Sequence, residues 1–481
     1  MRMSLRIPLL ALALFATAPA LAASLRYTAT LSADARTLAV ELCATGPVAA
    51  GQLQGGRRAG TPRSLQADPG VEAVQRGGRI SYRRLDPGRC LRYRVDARAA
   101  TESDRYRVSW RSGHYLMLRL GDWLWRPATI PAGSEITLAL PAGWSASVPW
   151  PPLDDRGRRY ALPDTSRHWD GFSAFGRFEE WRLALPGGRL RIAILPTAGD
   201  DGNERLREWL RRNIKAALTS SGRLPLPDAQ VLVVPLPGVS SPAPWGHITR
   251  GGGSALRLFA GLEASDSVRL ADWTLSHELG HLFHPYLGDR GRWMAEGLAS
   301  YFQNVLRARS GLLTPEQAWS KLDAGFGRGR DERRTRGQSL AEISSNYRGT
   351  MRVYWSGAAY WLEADARLRE HHGTSLDAVL AAFAERHLPA YASWPPERFA
   401  AELDRLAGTG LFEPMYRRYA GATHFPDLNA TYRHLGLGDG VRRLRLSADA
   451  PAAAVRDAIM SAVDGPRVAS RPAPRDSGGE R

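Results

Sequence analysis

The chain has 481 residues, room for two or three domains, and a formal net charge of +17. The basic excess is almost all arginine and is scattered rather than clustered. That argues against a nucleic-acid partner and leaves a weak attraction to anionic envelope surfaces. After the amino-terminal segment, nothing reaches the roughly 18 uninterrupted apolar residues of a membrane span.

Met1–Ala22 has a basic start (Arg2, Arg6), the apolar run Ile7–Ala16 and a small-residue end at Ala20-Leu-Ala22. These are the parts of a secretory signal, so the mature chain is expected to begin at Ala23, exported to the periplasm or beyond. Up to about residue 189 short alternating segments separated by Gly, Pro and Asp read as strands: Arg26–Leu31, Thr37–Cys43, Arg79–Arg84, Leu91–Val95, Arg105–Arg111 and Ile136–Leu140. They suggest a β-sandwich-like region, with Trp110, Trp123, Trp125, Trp144 and Trp150 packed in its core rather than edging a substrate groove, the alternative for exposed aromatic rings. Cys43 and Cys90 are the only cysteines, and in an exported chain an even pair reads as a possible disulfide.

From residue 190 the texture changes. Strands at Leu190–Leu195 and Gln230–Val234 flank an amphipathic helix, Asn203–Leu218, with Leu206, Trp209, Leu210, Ile214 and Leu218 on one face and Gly222 just past its end. Then comes His277-Glu278-Leu279-Gly280-His281, the H-E-x-x-H pattern. On a helix the two imidazoles, four residues apart, reach one metal ion, and Glu278 is placed to take a proton from water. The surrounding run, Trp273–Leu287, is apolar and predicts a buried helix ending near Pro285. Buried polar groups are costly unless they are paired or bound to metal.

Catalytic zinc takes three protein ligands and keeps one position open. Glu296 follows His281 by fifteen residues, past the turn Gly288–Gly291, in an apolar helical stretch. His284 is a rival, but it lies one turn beyond His281 on the same helix, which suits lining the cleft or contacting a ligand from behind. The pattern with a third His six residues after the second fails, because that position is Leu287. The ligand set read from the sequence is therefore His277, His281 and Glu296.

Followed by Trp293-Met-Ala-Glu296-Gly-Leu-Ala-Ser-Tyr301, HELGH resembles the gluzincins. Leu306–Glu316, Tyr354-Trp-Ser-Gly357 and Gly373–Asp377 resemble the glycyl aminopeptidase family in particular. The resemblance covers about residues 190–440 and implies a thermolysin-like catalytic domain, one Zn²⁺ per chain and a peptide substrate. It gives Tyr354 the role of steadying the oxyanion. Two departures stand out. The family's G-G-x-E-H segment, which holds the substrate amino terminus, is expected at Arg250–Leu258, where no Glu-His occurs and Glu263 is the nearest carboxylate. A PDZ-like module after the helical region, which many family members carry, is not expected from residues 441–481.

Thr314-Pro-Glu-Gln317 signals a helix start, and further helices are expected near Tyr354–Arg369, Ser375–Arg386 and Pro396–Leu406. Gly325–Gly337 reads as a charged, mobile insertion, and the tail after about 466 as disordered. The expected class is α+β: signal 1–22, β-sandwich-like domain 23–189, thermolysin-like zinc domain 190–312, mainly helical domain 313–440, tail 441–481. The expected activity is zinc-dependent hydrolysis of peptide bonds, aminopeptidase-like, with Glu278 as base and Ser300 as an orienter of a ligand. The alternatives are a zinc endopeptidase and a non-catalytic envelope binding protein with a vestigial zinc site.

Overall fold

The computed structural model describes residues 23–56, 62–102, 110–111, 115–166, 168–169, 171–197, 203–438 and 444–462. The expected signal, most of the Arg105–Arg111 strand and most of the tail lie outside these residues.

The amino-terminal part is built from sheets. Six strands run in the order Arg159–Ala161, Glu135–Ala139, Leu25–Leu31, Thr37–Ala44, Cys90–Asp96, Arg63–Ala67. Leu25–Leu31 buries every second side chain, as a strand with one covered face must. That face packs on a four-stranded sheet, and Leu116, Leu118 and Phe175 of the second sheet share one core with Tyr27, Val40 and Tyr93 of the first. Trp123, Trp125 and Trp150 are buried in this core and Trp144 packs against it. Cys43 and Cys90 face each other across paired strands and are disulfide-bonded.

A five-stranded mixed sheet follows, in the order Glu180–Leu185, Gly188–Ile194, Asp228–Leu236, Ala255–Gly261, Trp245–Thr249. Asn203–Leu218 forms the expected helix and packs Leu206, Trp209, Leu210 and Ile214 into the core of this layer. The short outer strand Trp245–Thr249 runs antiparallel to its neighbour and leaves its other edge to the cleft. The rest is mainly helical, with one small strand pair: Arg292–Arg309, Pro315–Asp331, Thr350–His371, Leu376–His387, Pro396–Ala407 and shorter pieces surround one large aromatic-rich core. The molecule is thus of mixed α+β class, sheets first and helices after. No helix among the described residues is long and apolar enough to cross a membrane.

Two expectations need correction. The apolar run from Trp273 is not one helix: Thr274–Gly280 is α-helical and His281–Phe283 tightens into a 3-10 turn before the chain extends at His284. Nor is Gly325–Gly337 an insertion loop, since the Pro315–Asp331 helix, opened by the expected Thr314 capping box, runs through its first half. Its glycines are contact surfaces: a Cβ on Gly325 or Gly329 would stand 2.2 Å or 2.8 Å from Trp355. Four residues apart on one face, they make room for the Trp355 indole and, at Gly329, for its Cβ and the Phe425 ring.

Candidate active site

The site sits where three helices meet the outer strand. The helix Thr274–Gly280 starts after Asp272, whose carboxylate accepts the Thr274 backbone N–H at 2.9 Å. Its polar face points His277 and Glu278 inward, both nearly fully buried. The next helix, Arg292–Arg309, comes close because Gly280 has no side chain; a Cβ there would lie 3.0 Å from the Ala299 Cα. That approach brings Glu296 under both imidazoles. A second glycine contact positions Tyr354. Gly297 and Gly357 meet where the helices Arg292–Arg309 and Thr350–His371 cross, and a Cβ on Gly297 would fall 2.3 Å from the Gly357 carbonyl carbon. Tyr354, one turn before Gly357, is thereby set against Glu296, one residue before Gly297.

The donor atoms converge. His277 Nε2 lies 3.2 Å and His281 Nε2 3.5 Å from Glu296 Oε2. Ligands about 2.1 Å from a tetrahedral ion stand about 3.4 Å apart, so the set fits zinc. The other ring nitrogens are already engaged. His277 Nδ1 donates to Gln303 Oε1 at 2.9 Å, and His281 Nδ1 donates to His284 Nε2 at 3.0 Å. His284 in turn donates from Nδ1 to the Pro285 carbonyl at 2.7 Å. This chain leaves each Nε2 with its lone pair towards the Glu296 carboxylate. Burial, with the neighbouring His281 and Arg250, holds His284 well below the usual histidine range, so it stays neutral.

Glu278 lies beside the outer strand. A Cβ on Gly246 would stand 2.7 Å from its Cγ, so the strand must carry glycine there. Burial pushes the Glu278 carboxyl up, while the imidazoles and the Ile248 backbone N–H pull the other way. Burial first, then Glu296, also raises the Tyr354 phenol far above its ordinary value, so it remains a donor at any working pH. The Tyr354 ring stacks on His277 with centroids 5.8 Å apart, and its hydroxyl is hydrogen-bonded to Glu296.

Not every sequence-derived residue gathers here. His277, Glu278, His281, His284, Glu296 and Tyr354 all line one cleft of about 600 Å³. Glu263 does not line it; it is exposed beyond the strand Ala255–Gly261. Ser300 is buried one turn past Glu296, but the residue that meets His277 is Gln303, which only the i, i+7 spacing from Glu296 on the same helix face signals. Arg250–Leu258 is not the strand beside the base, since its second half enters the inner strand Ala255–Gly261. The strand at Glu278 is Trp245–Thr249, which carries no carboxylate. Arg250 donates to the carbonyls of His281 and His284 at 3.4 Å each.

Sequence reasoning also missed His168 and Trp169, which the sheet-rich part sends into the cleft; Trp169 packs edge-on against Tyr286 at 5.7 Å. Asp289 went unnoticed too. It accepts from Tyr286 at 3.1 Å and Tyr347 at 2.7 Å, and among the described lining residues it is the one carboxylate that is neither ligand nor base.

Residues 283–371, which include Glu296 and Tyr354, match the M61 glycyl aminopeptidase family. No curated protein sequence matches the chain. Among solved structures it resembles an aminopeptidase N family protein from Idiomarina loihiensis, at 13% identity over 86% of this chain and 78% of that one, with a TM-score of 0.62. It also resembles an M1 zinc metallopeptidase from Deinococcus radiodurans, at 16% identity over 84% of this chain and 94% of that one, with a TM-score of 0.50. A mutant of that protein bound to a Tyr-Ser-Ala substrate aligns equally well. At such identities the likeness is one of fold. With an M61 glycyl aminopeptidase segment, an aminopeptidase-like fold and this donor set, the gluzincin resemblance of the sequence stands, and the enzyme is a zinc metallopeptidase.

Proposed function

We propose that the chain is an exported, aminopeptidase-like enzyme that hydrolyses peptide bonds with one zinc ion held by His277, His281 and Glu296. The single observation that carries this reading is the convergence of those three donors beside a buried carboxylate, Glu278, within one cleft. Zinc there would lower the pKa of water towards about 7 and polarise the scissile carbonyl. Glu278 takes the proton of the attacking water and passes it to the leaving nitrogen. Its burial suits both halves of that task, because a raised pKa makes it a better acceptor first and a usable donor afterwards. The Tyr354 hydroxyl, held on Glu296 in the free enzyme, is the donor closest in role to the developing oxyanion. A complete donor set with an intact base speaks against a vestigial site. Export rests on Met1–Ala22 alone.

A second reading, endopeptidase, is favoured by the strand Trp245–Thr249 beside the base, which carries no carboxylate to hold an amino terminus. If a free amino terminus is held at all, Asp289 is the carboxylate left to hold it.

The test joins metal content to a peptide panel. Glu278→Gln should bind zinc as wild type does and lose about 10²–10⁴-fold in kcat, the range for a general base. A variant that cleaves as fast as wild type would remove Glu278 from the mechanism. Free peptides cut from the amino end support the aminopeptidase reading, and equal cleavage of amino-blocked peptides decides for the endopeptidase.

A further inference from the structure

Beside the catalytic cleft lies a second cavity, of about 540 Å³, that shares Trp273 and Tyr354 with it. One wall is the continuation of the Glu296 helix. Residues 296, 300, 303 and 307 follow one stripe of that helix, so the face that begins at the ligand and passes Gln303 ends at Arg307. Arg307 is 1% exposed. Its Nη2 donates to the carbonyls of Leu270 and Ala271, at 3.3 Å and 2.9 Å, while its Nε and Nη1 are buried with no hydrogen-bond partner. Asp272 acts on it only through space.

The charged residues that line the cavity with this arginine have one sign. Lys321, one of two lysines in the chain, and Arg328 also line the cavity, and no Asp or Glu is among its described lining residues. Met351 and Trp355 supply apolar wall, and the Arg328 guanidinium lies 4.9 Å over the Trp355 ring. Buried donors without partners are costly, and a planar guanidinium fork matches a carboxylate. A cationic recess with open donors, entered past the catalytic tyrosine, is built for an anion.

We propose that this cavity is a carboxylate-binding subsite of the peptidase, holding the carboxyl end of a short peptide whose scissile bond lies at Glu278. The proposal rests on the peptidase reading above. Arg307 follows Glu296 by eleven residues, about 16 Å along a helix. An extended peptide covers that in roughly four or five residues. The amino side of the peptide then lies in the catalytic cleft, whose lining includes Asp289.

The test uses the full-length, zinc-loaded Glu278→Gln protein and calorimetric binding of alanine oligopeptides of three to seven residues. The free-acid pentapeptide should bind at least about tenfold tighter than its carboxyl amide, the lower end for a charge-assisted hydrogen bond, and the gap should shrink for the tripeptide. Arg307→Met should close the gap. Because that change is in the core, the pair Lys321→Ala/Arg328→Ala, both exposed, serves as the second variant and should narrow it. An amidated peptide with Glu at position five that binds like the free acid also supports the subsite and makes a side-chain carboxylate its ligand. Equal Kd for acid, amide and Glu-bearing peptides at every length overturns the proposal. A Kd gap without hydrolysis of any peptide by wild type would sink the peptidase reading and leave the subsite standing.

Discussion

At the scale of single residues, the ligands are held by neighbours that no pattern names. Gln303 and His284 each engage the outer nitrogen of one ligating imidazole and so fix its tautomer. Gln303→Leu, close in volume and unable to accept, should therefore lower zinc affinity by roughly 10–100-fold, as removal of such partners does. Competition against a chelator of known affinity measures it, and an unchanged Kd would show that the contact orients nothing. The base makes a prediction in pH. It works as a carboxylate, and burial raises its pKa above the ordinary 4.5. Activity should thus fall as pH drops through a value above 4.5, with zinc content followed over the same range to separate metal loss from protonation. A profile of kcat/KM that stays flat down to pH 4 would contradict the buried base.

At the scale of elements, glycines decide how closely helices approach. HELGH and Glu296 are legible in the chain because a ligand pair four apart is a property of one helix. The convergence of Tyr354 is not, because it depends on two glycines sixty residues apart meeting at a helix crossing. Gly297→Ala should cost at least about 2 kcal/mol, since an added methyl cannot fit a contact that close, and should lower kcat by moving Glu296 and Tyr354 together. Gly327→Ala provides the contrast: a Cβ there meets nothing within 4 Å, and the helix should gain about 0.8 kcal/mol. Thermal melts of both variants with kcat for the first test the pair; two equal shifts would deny the crossing its role. The same reasoning explains the misread Gly325–Gly337 segment. Composition signals a loop, while a bulky partner, Trp355, turns two of those glycines into a helix face.

At the scale of the whole molecule, the sheet-rich part is more than a neighbour of the catalytic layers. It supplies His168 and Trp169 to the cleft, and its own integrity is tied by one cross-link between paired strands. Reduction of Cys43–Cys90, which are 47 residues apart, should destabilise this part by about 4 kcal/mol on the loop-entropy estimate. Unfolding followed with and without reductant checks it. Indistinguishable melts would mean the sheets hold without the bond.

By itself the sequence determined the metal chemistry and the fold class. Periodicity of two and of 3.6 marks strands and helices locally, and H-E-x-x-H needs only one helix to be right. Of the amino-terminal tryptophans expected in the core, Trp123, Trp125 and Trp150 are buried and Trp144 packs against them, while the side chain of Trp110 lies outside the described residues. Tertiary structure alone decided what surrounds the donor set: the Gln303 partner, Asp289 among its tyrosines, Arg250 on the His281 and His284 carbonyls and the arginine-lined cavity past Tyr354. The physical reason is range. A ligand pair is set by spacing along one helix, whereas a cleft is set by which distant surfaces pack together, and that depends on shape complementarity summed over the whole core.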